Sequence, residues 1–297
     1  MQNSRPSDTA RLVARSIILA SLDDKLKVLV AAGEAEAIRD VLRKGYERDL
    51  LTPTLRFGLV RCLFQNFERM LLPGIIAHYL VRKRQIELAV ETAIDKGCGR
   101  LVVVGAGYDT LAWRLHRLHP EVEFVELDHP ATQRVKETAL KTASNFTFRS
   151  IDLSFELPST VLAEHGPASQ KSAVFVIEGV TMYLPPEQVA RLITDLSNMA
   201  GPSGRIIFTF MERDQDGTIA FRRANPLIDR WLKARSEPFL WGISRAGLID
   251  FLNLSGADLI DLADHERLRE QQLVPHGLER LPLAQGELIC TATPLSR

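Results

Sequence analysis

One stretch constrains the fold more than any other. Leu101-Val102-Val103-Val104 runs straight into Gly105-Ala106-Gly107, and helix-compatible sequence follows from Leu111. Four consecutive apolar residues suit a central parallel strand covered on both faces. Glycines directly after such a strand tolerate positive φ and let a ligand approach the backbone closely, which is where an α/β sheet grips nucleotide-like molecules. The third glycine of the dinucleotide fingerprint is missing, because Thr110 stands three positions after Gly107. Close packing around a pyrophosphate is therefore not indicated, and the turn fits a ligand that carries no phosphate there.

The chain of 297 residues is long enough for one elaborated α/β domain with a substantial core. Lys plus Arg balance Asp plus Glu at 37 each, so no net field draws the chain to nucleic acid or an anionic membrane. Cys62, Cys98 and Cys290 are odd in number and far apart, against a disulfide framework, a zinc knuckle or a redox pair and in keeping with a reducing cytoplasm. The N-terminus lacks the order of a signal peptide, and charges interrupt every apolar stretch short of membrane-spanning length. A soluble protein is expected.

The first third reads as helical, with apolar residues at three-and-four spacing through Leu12, Ile17, Leu22, Leu26 and Leu29, then through Leu55, Leu59, Leu63 and Phe67. Pro73-Gly74 punctuates this region ahead of a helix over about 75–94 that carries Arg82-Lys83-Arg84. Beyond Gly99 the pattern becomes βαβα, with strands expected at 101–104, 123–128, 146–149, 173–177 and 205–210. Pro185-Pro186 opens, and Gly201-Pro202 closes, the best-marked helix. The alternation lapses over about 212–243, read as an insertion with one long helix at roughly 217–235, before Ser244 caps a helix ended by Gly256 and two last strands follow at 257–262 and 287–293. The expected architecture is a Rossmann-like α/β fold in two regions. A helical cap (1–97) precedes a core (98–297) whose mostly parallel seven-stranded sheet closes with an antiparallel last strand.

Acidic residues at the end of the second strand bear on the ligand. Asp128 lies 21 positions after Gly107, with Glu126 two residues earlier on the same strand face. A carboxylate at that strand end accepts hydrogen bonds from both ribose hydroxyls of an adenosine, so strand, glycine turn, helix and spaced acid together point to adenosine binding, and with no phosphate indicated at the turn S-adenosyl-L-methionine is the candidate. Other chemistries lack their signatures. No Gly-x-Ser-x-Gly elbow and no Gly-Lys-Ser/Thr phosphate loop occurs, and no His and carboxylate set shows metal-ligand spacing. His78 and His129 are the histidines nearest the predicted crevice, and a lone histidine there reads as structural as readily as a base.

The segments VVVGAGYDTLAWRL, FVELDHPATQRVK and VIEGVTMYLPPEQV, in this order and spacing, resemble the leucine carboxyl methyltransferase family, including its bacterial branch of O-methyltransferases linked to polyketide-type biosynthesis. The resemblance implies the class I methyltransferase fold and S-adenosyl-L-methionine as donor, with S-adenosyl-L-homocysteine as product. It also implies that Gly105, Gly107 and Asp109 form the glycine turn of the donor site. Asp128 would hold the ribose, Glu126 would share that role or support the strand end, and Asp152 with Leu153 would flank the adenine. Glu178 would bind the methionine ammonium, and Arg82 the methionine carboxylate. Arg82 and Arg84 point to different faces of their helix, so at most one faces the ligand; Lys83 and Arg84 read as a solvated basic patch. Relatives carry Arg-Thr-Arg followed by an aromatic pair and Asp where this chain has Arg-Lys-Arg-Gln-Ile-Glu, which leaves the carboxylate clamp open between the two arginines. Asp152 reads equally as a turn-capping residue. Tyr183 either orients an acceptor or packs beneath the proline turn.

The expected activity is O-methylation of a hydroxyl or carboxylate on a small molecule, driven by proximity and orientation because the sulfonium methyl is already activated. Methylation of a protein C-terminus, a non-catalytic cofactor-binding module and a nicotinamide oxidoreductase are the rival readings, the last disfavoured by Thr110. Phe57, Phe64, Phe67, Trp231, Phe239 and Trp241 lie in the parts expected to bind the acceptor.

Overall fold

The computed structural model describes residues 6–46, 49, 51–163, 171–235 and 237–295. Its helices and strands run α1 (Asp8–Ser21), α2 (Glu34–Gly45), α3 (Leu51–Thr54), α4 (Gly58–Leu71), α5 (Ile75–Asp95), β1 (Arg100–Val104), α6 (Leu111–Leu115), β2 (Glu123–Asp128), α7 (Pro130–Glu137), β3 (Phe146–Ser150), α8 (Pro158–Ala163), β4 (Ala173–Ile177), α9 (Pro186–Met199), β5 (Arg205–Glu212), α10 (Pro226–Ala234), β6 (Gly242–Ile243), α11 (Arg245–Leu254), β7 (Ala257–Ala263), α12 (His265–Leu268) and β8 (Glu287–Pro294). The sheet order is β3-β2-β1-β4-β5-β8-β7, and the two-residue β6 pairs with β5. Strands β1 to β5 pair in parallel, whereas β8 runs antiparallel to both β5 and β7. This is the Rossmann-like methyltransferase fold, with its antiparallel closing strand.

Strand composition explains the layering. Leu101, Val102, Val103 and Val104 of β1 are all buried, as a central strand requires. Their side chains alternate between two cores. Leu101 and Val103 join Phe124, Val174 and Ile207 beneath the N-terminal helices, where Ile17, Ile38, Leu80 and Val90 pack. Val102 and Val104 join Phe175, Ile177, Phe208 and Phe210 on the opposite face, covered by Val189, Leu192, Ile193 and Leu196 of α9 and Leu248 and Leu252 of α11. Each such side chain contributes on the order of 1.5–3 kcal/mol by leaving water.

The helix expected through Leu59, Leu63 and Phe67 forms as α4, and one other helical expectation needs correcting. Leu55 is buried, but Leu59, Leu63 and Phe67 are exposed by 75%, 60% and 57%, so the apolar row of α4 faces away from the core that Val60 and Phe64 touch. Periodicity reveals a stripe but not what covers it. The single helix expected over 217–235 is shorter. Gly217 sits in a turn at φ +87, and Arg222 bridges to Gln285, before Asn225 caps α10 by accepting from the Leu227 amide. Pro226 forces extended backbone on the residue before it, so the helix starts there and not nine residues earlier.

The order β3-β2-β1-β4 means that the chain leaves β1 to one side for β2 and β3, then returns to the other side for β4. The crevice between the carboxyl ends of β1 and β4 is thus a topological switch point, where an open α/β sheet binds its ligand.

Candidate active site

A partly enclosed cavity of about 330 Å³ opens at this switch point, floored by the turn after β1 and the ends of β2 and β4 and roofed by α1 through Ala10, Val13 and Ile17. Gly105 and Gly107 adopt φ +68 and +51, a region that costs an L side chain energy. A Cβ on Gly105 would stand 2.4 Å from Val180 Cγ2. The amides of Gly105 and Ala106 both donate to the Leu127 carbonyl at 2.8 and 3.2 Å, tying the turn to β2. The Gly107 amide donates to Asp128 Oδ2, and the His129 amide donates to Asp128 Oδ1 at 2.6 Å. Burial pushes the Asp128 carboxyl above its ordinary value, and these amides counter that shift.

Opposite Asp128 lies a chain of charges. Arg82 donates from Nε and Nη2 to Glu178 Oε1 at 3.0 and 2.7 Å, and from Nη1 to Glu287 Oε1 and Oε2 at 2.9 and 2.8 Å. Lys83 Nζ donates to Asp109 Oδ1 at 2.8 Å and to Glu178 Oε2 at 3.2 Å. His78, fully buried beneath the cavity, places Nε2 at 2.8 Å from Glu287 Oε2. Burial alone would raise the carboxyls of Asp109 and Glu287. The Lys83 ammonium beside Asp109, and the Arg82 guanidinium with His78 beside Glu287, nevertheless bring each down to about 2.

Of the residues expected in the site, Arg82, Gly105, Gly107, Asp109, Asp128, Asp152, Leu153, Glu178 and Tyr183 all line this cavity. Glu126 does not. It is 1% exposed beneath the cleft, paired with Lys136 Nζ at 2.5 Å, and burial, only partly offset by that ammonium, pushes it up to about 7. Lys83 is no solvated basic residue: its side chain is 10% exposed and bound within the cluster, whereas Arg84 lies outside the lining. Asp152 accepts from the Ser154 amide at 3.0 Å, as a turn residue does, and also lies 4.0 Å from His129 Nε2. Tyr183 packs on Phe239 with ring centroids 5.6 Å apart, and burial raises its hydroxyl pKa, so it stays protonated.

Residues from both ends of the chain complete the site. Ser7 Oγ donates to Glu237 Oε1 at 2.9 Å, and the Thr9 hydroxyl donates to Glu237 Oε2. Tyr79, Phe221, Phe239 and Glu287 form the wall beyond Arg82. Sequence reasoning singled out Phe239 alone of these, since no motif marks the others. Of the other expected aromatics, Phe57 and Phe67 are exposed, Phe64 packs on the core, Trp241 is buried on the far face of the sheet and Trp231 lies under Arg235.

The cavity matches the chemistry of a positively charged, phosphate-free nucleoside. Asp109, Asp128, Asp152, Glu178, Glu237 and Glu287 outnumber Arg82, Lys83 and His129 in its lining, which suits a ligand with a sulfonium and an ammonium against one carboxylate. The fold and this cleft define a class I S-adenosyl-L-methionine-dependent methyltransferase. The profile of the leucine carboxyl methyltransferase family matches residues 22–197, and the chain belongs to that family. A Mycobacterium avium (strain 104) protein assigned as an S-adenosyl-L-methionine-dependent methyltransferase is 26% identical over 263 residues, covering 80% of this chain and 84% of its own. A Mycobacterium marinum protein of the same description is 29% identical over 222 residues, covering 67% and 72%. A solved methyltransferase structure from Thermobifida fusca superposes with a TM-score of 0.58 over 81% of this chain and 90% of that one at 14% identity, a likeness of fold.

Proposed function

We propose that the chain transfers the donor's methyl group to an oxygen of a small molecule, a hydroxyl or a carboxylate. The supporting observation is the cavity itself: beyond Arg82 its described lining includes Tyr79, Tyr183, Phe221 and Phe239, an aromatic wall suited to a small organic molecule.

In this reading Asp128 accepts the ribose hydroxyls, Asp152 and Leu153 flank the adenine, and Glu178 accepts from the methionine ammonium. Arg82, and with it Lys83, faces the methionine carboxylate, while Gly105 and Gly107 let the nucleoside lie against the backbone. The bound donor supplies an activated methyl on a sulfonium. The residues of the chain bind and orient both partners, and α1 excludes water, so catalysis comes mainly from alignment. The helices within 1–97 serve as the cap, and 98–297 as the donor-binding core, whose insertion at about 212–243 carries Phe221, Glu237 and Phe239. Two buried unpaired thiols, Cys98 and Cys290, fit a cytoplasmic setting. No described helix is long and apolar enough to cross a membrane.

Calorimetric titration with S-adenosyl-L-homocysteine beside NADH, followed by transfer of radiolabelled methyl to small-molecule and C-terminal peptide panels, tests this reading. Micromolar binding of the former alone, about −8 kcal/mol, with label entering small molecules, is expected. Label entering only peptides would replace it with the C-terminal alternative.

A further inference from the structure

The acceptor half of the cavity has an unusual charge distribution. Among the described lining residues the basic side chains are Arg82, Lys83 and His129, all on the donor side. The acceptor wall is aromatic, with Tyr183 and Phe239 centroids 5.6 Å apart and Phe221 and Phe239 6.1 Å apart. Two carboxylates enter it, and they differ. Glu287 is neutralised by Arg82 and hydrogen-bonded to His78. Glu237, 8% exposed, meets only the Ser7 and Thr9 hydroxyls and the Thr9 amide at 3.3 Å, with no cation against it among the described residues.

We infer that the acceptor is an uncharged aromatic alcohol of the phenol type, and that Glu237 receives its hydroxyl hydrogen bond and then its proton. The inference rests on the methyltransferase reading above and narrows it. A planar ring suits the Tyr183–Phe239–Phe221 wall. A hydroxyl adds one more donor to a carboxylate that so far accepts only from Ser7 and Thr9, whereas a second carboxylate brought beside Glu237 meets like charge in a largely desolvated site. Chemical balance agrees. The hydroxyl oxygen forms its bond to the methyl carbon as the carbon–sulfur bond breaks, the electron pair staying on sulfur to leave an uncharged thioether. The proton passes to Glu237 and on to solvent after product leaves. Ser7 and Thr9 tie α1 to this carboxylate from the roof.

The test uses the full chain and two probes of similar shape, 2-naphthol and 2-naphthoate. Calorimetry on protein saturated with S-adenosyl-L-homocysteine should find naphthol at least tenfold tighter than naphthoate, and radiolabelled methyl should enter naphthol. Glu237→Gln should narrow that preference at least tenfold and lower kcat for naphthol more than it raises KM, with partial recovery in Glu237→Asp. The double variant Ser7→Ala/Thr9→Ala, which keeps the carboxylate, should retain the preference. Naphthoate binding as well as or better than naphthol, or neither probe binding, overturns the inference. So does a double variant that reproduces Glu237→Gln, since Glu237 would then act only as a latch for α1. Failure of S-adenosyl-L-homocysteine itself to bind takes down the methyltransferase reading, and this inference with it.

Discussion

Arg82 and Glu287 meet across 205 residues of chain, one guanidinium nitrogen reaching both oxygens of the carboxylate. The same guanidinium holds Glu178 on its other side. Helix α5 thereby carries a cation that couples the end of β4 to the start of the closing strand β8. Glu287→Gln keeps the shape but removes the charge that steadies Arg82. Stability should fall by roughly 1–3 kcal/mol, the cost of weakening a buried charged hydrogen-bond pair, and S-adenosyl-L-homocysteine affinity should fall as Arg82 loosens. Chemical denaturation and calorimetry read the two effects separately.

Asp128→Ala should weaken S-adenosyl-L-homocysteine binding by about 1–3 kcal/mol without unfolding the sheet. The carboxylate accepts the amides of Gly107 and His129, so Asp128→Asn should lose less. A folded alanine variant with unchanged affinity would remove Asp128 from the ribose position.

Adjacent helix residues provide a contrast. Lys83→Met strips Asp109 and Glu178 of their shared ammonium, so donor-site affinity and stability should both drop. Arg84→Met touches no part of the cavity lining and should leave both unchanged. Equal losses in the two variants would show that the basic run matters only through its overall charge.

Acid should reveal the charge cluster. Asp109 and Glu287 are held at about 2, below ordinary values of 3.8 and 4.5. A depressed carboxyl contributes stability that is present above its ordinary value and lost as pH falls through the folded one. Melting temperature should therefore decline between about pH 4.5 and 2, and Glu287→Gln should flatten that decline. Glu126, raised from 4.5 to about 7, acts in the opposite sense, its protonated form being favoured in the fold. Its share of stability is lost as pH rises between those values, a slope that Glu126→Gln should remove.

Gly105→Ala should cost about 1–2 kcal/mol for placing a side chain in left-handed backbone, and more because its Cβ meets Val180 at 2.4 Å. Thermal denaturation of the variant with and without S-adenosyl-L-homocysteine measures that cost and whether the turn still receives the nucleoside.

Much of the candidate site's lining was legible along the chain because its signals are local. Gly105, Gly107, Asp128, Asp152 and Glu178 each lie at or just beyond the end of a strand, and the parallel sheet delivers all those ends to one edge. Glu126 shows the limit of that reasoning: it shares a strand face with Asp128, yet lies one step deeper, where Lys136 of α7 meets it. Lys83 erred the other way, since a basic run looks solvated until the carboxylates that face it are placed.

The sequence by itself determined the strand–glycine–helix turn, the alternation of strands and helices and the acids at strand ends, because backbone propensity and hydrophobic period act over a few neighbouring residues. Tertiary structure alone decided that Glu287 clasps Arg82, that Ser7 and Thr9 hold Glu237 from 230 and 228 residues away, and that the apolar row of α4 faces outward. Those outcomes depend on which faces the folded sheet brings together. A hydrogen bond or a burial between distant segments leaves no periodic trace in the chain.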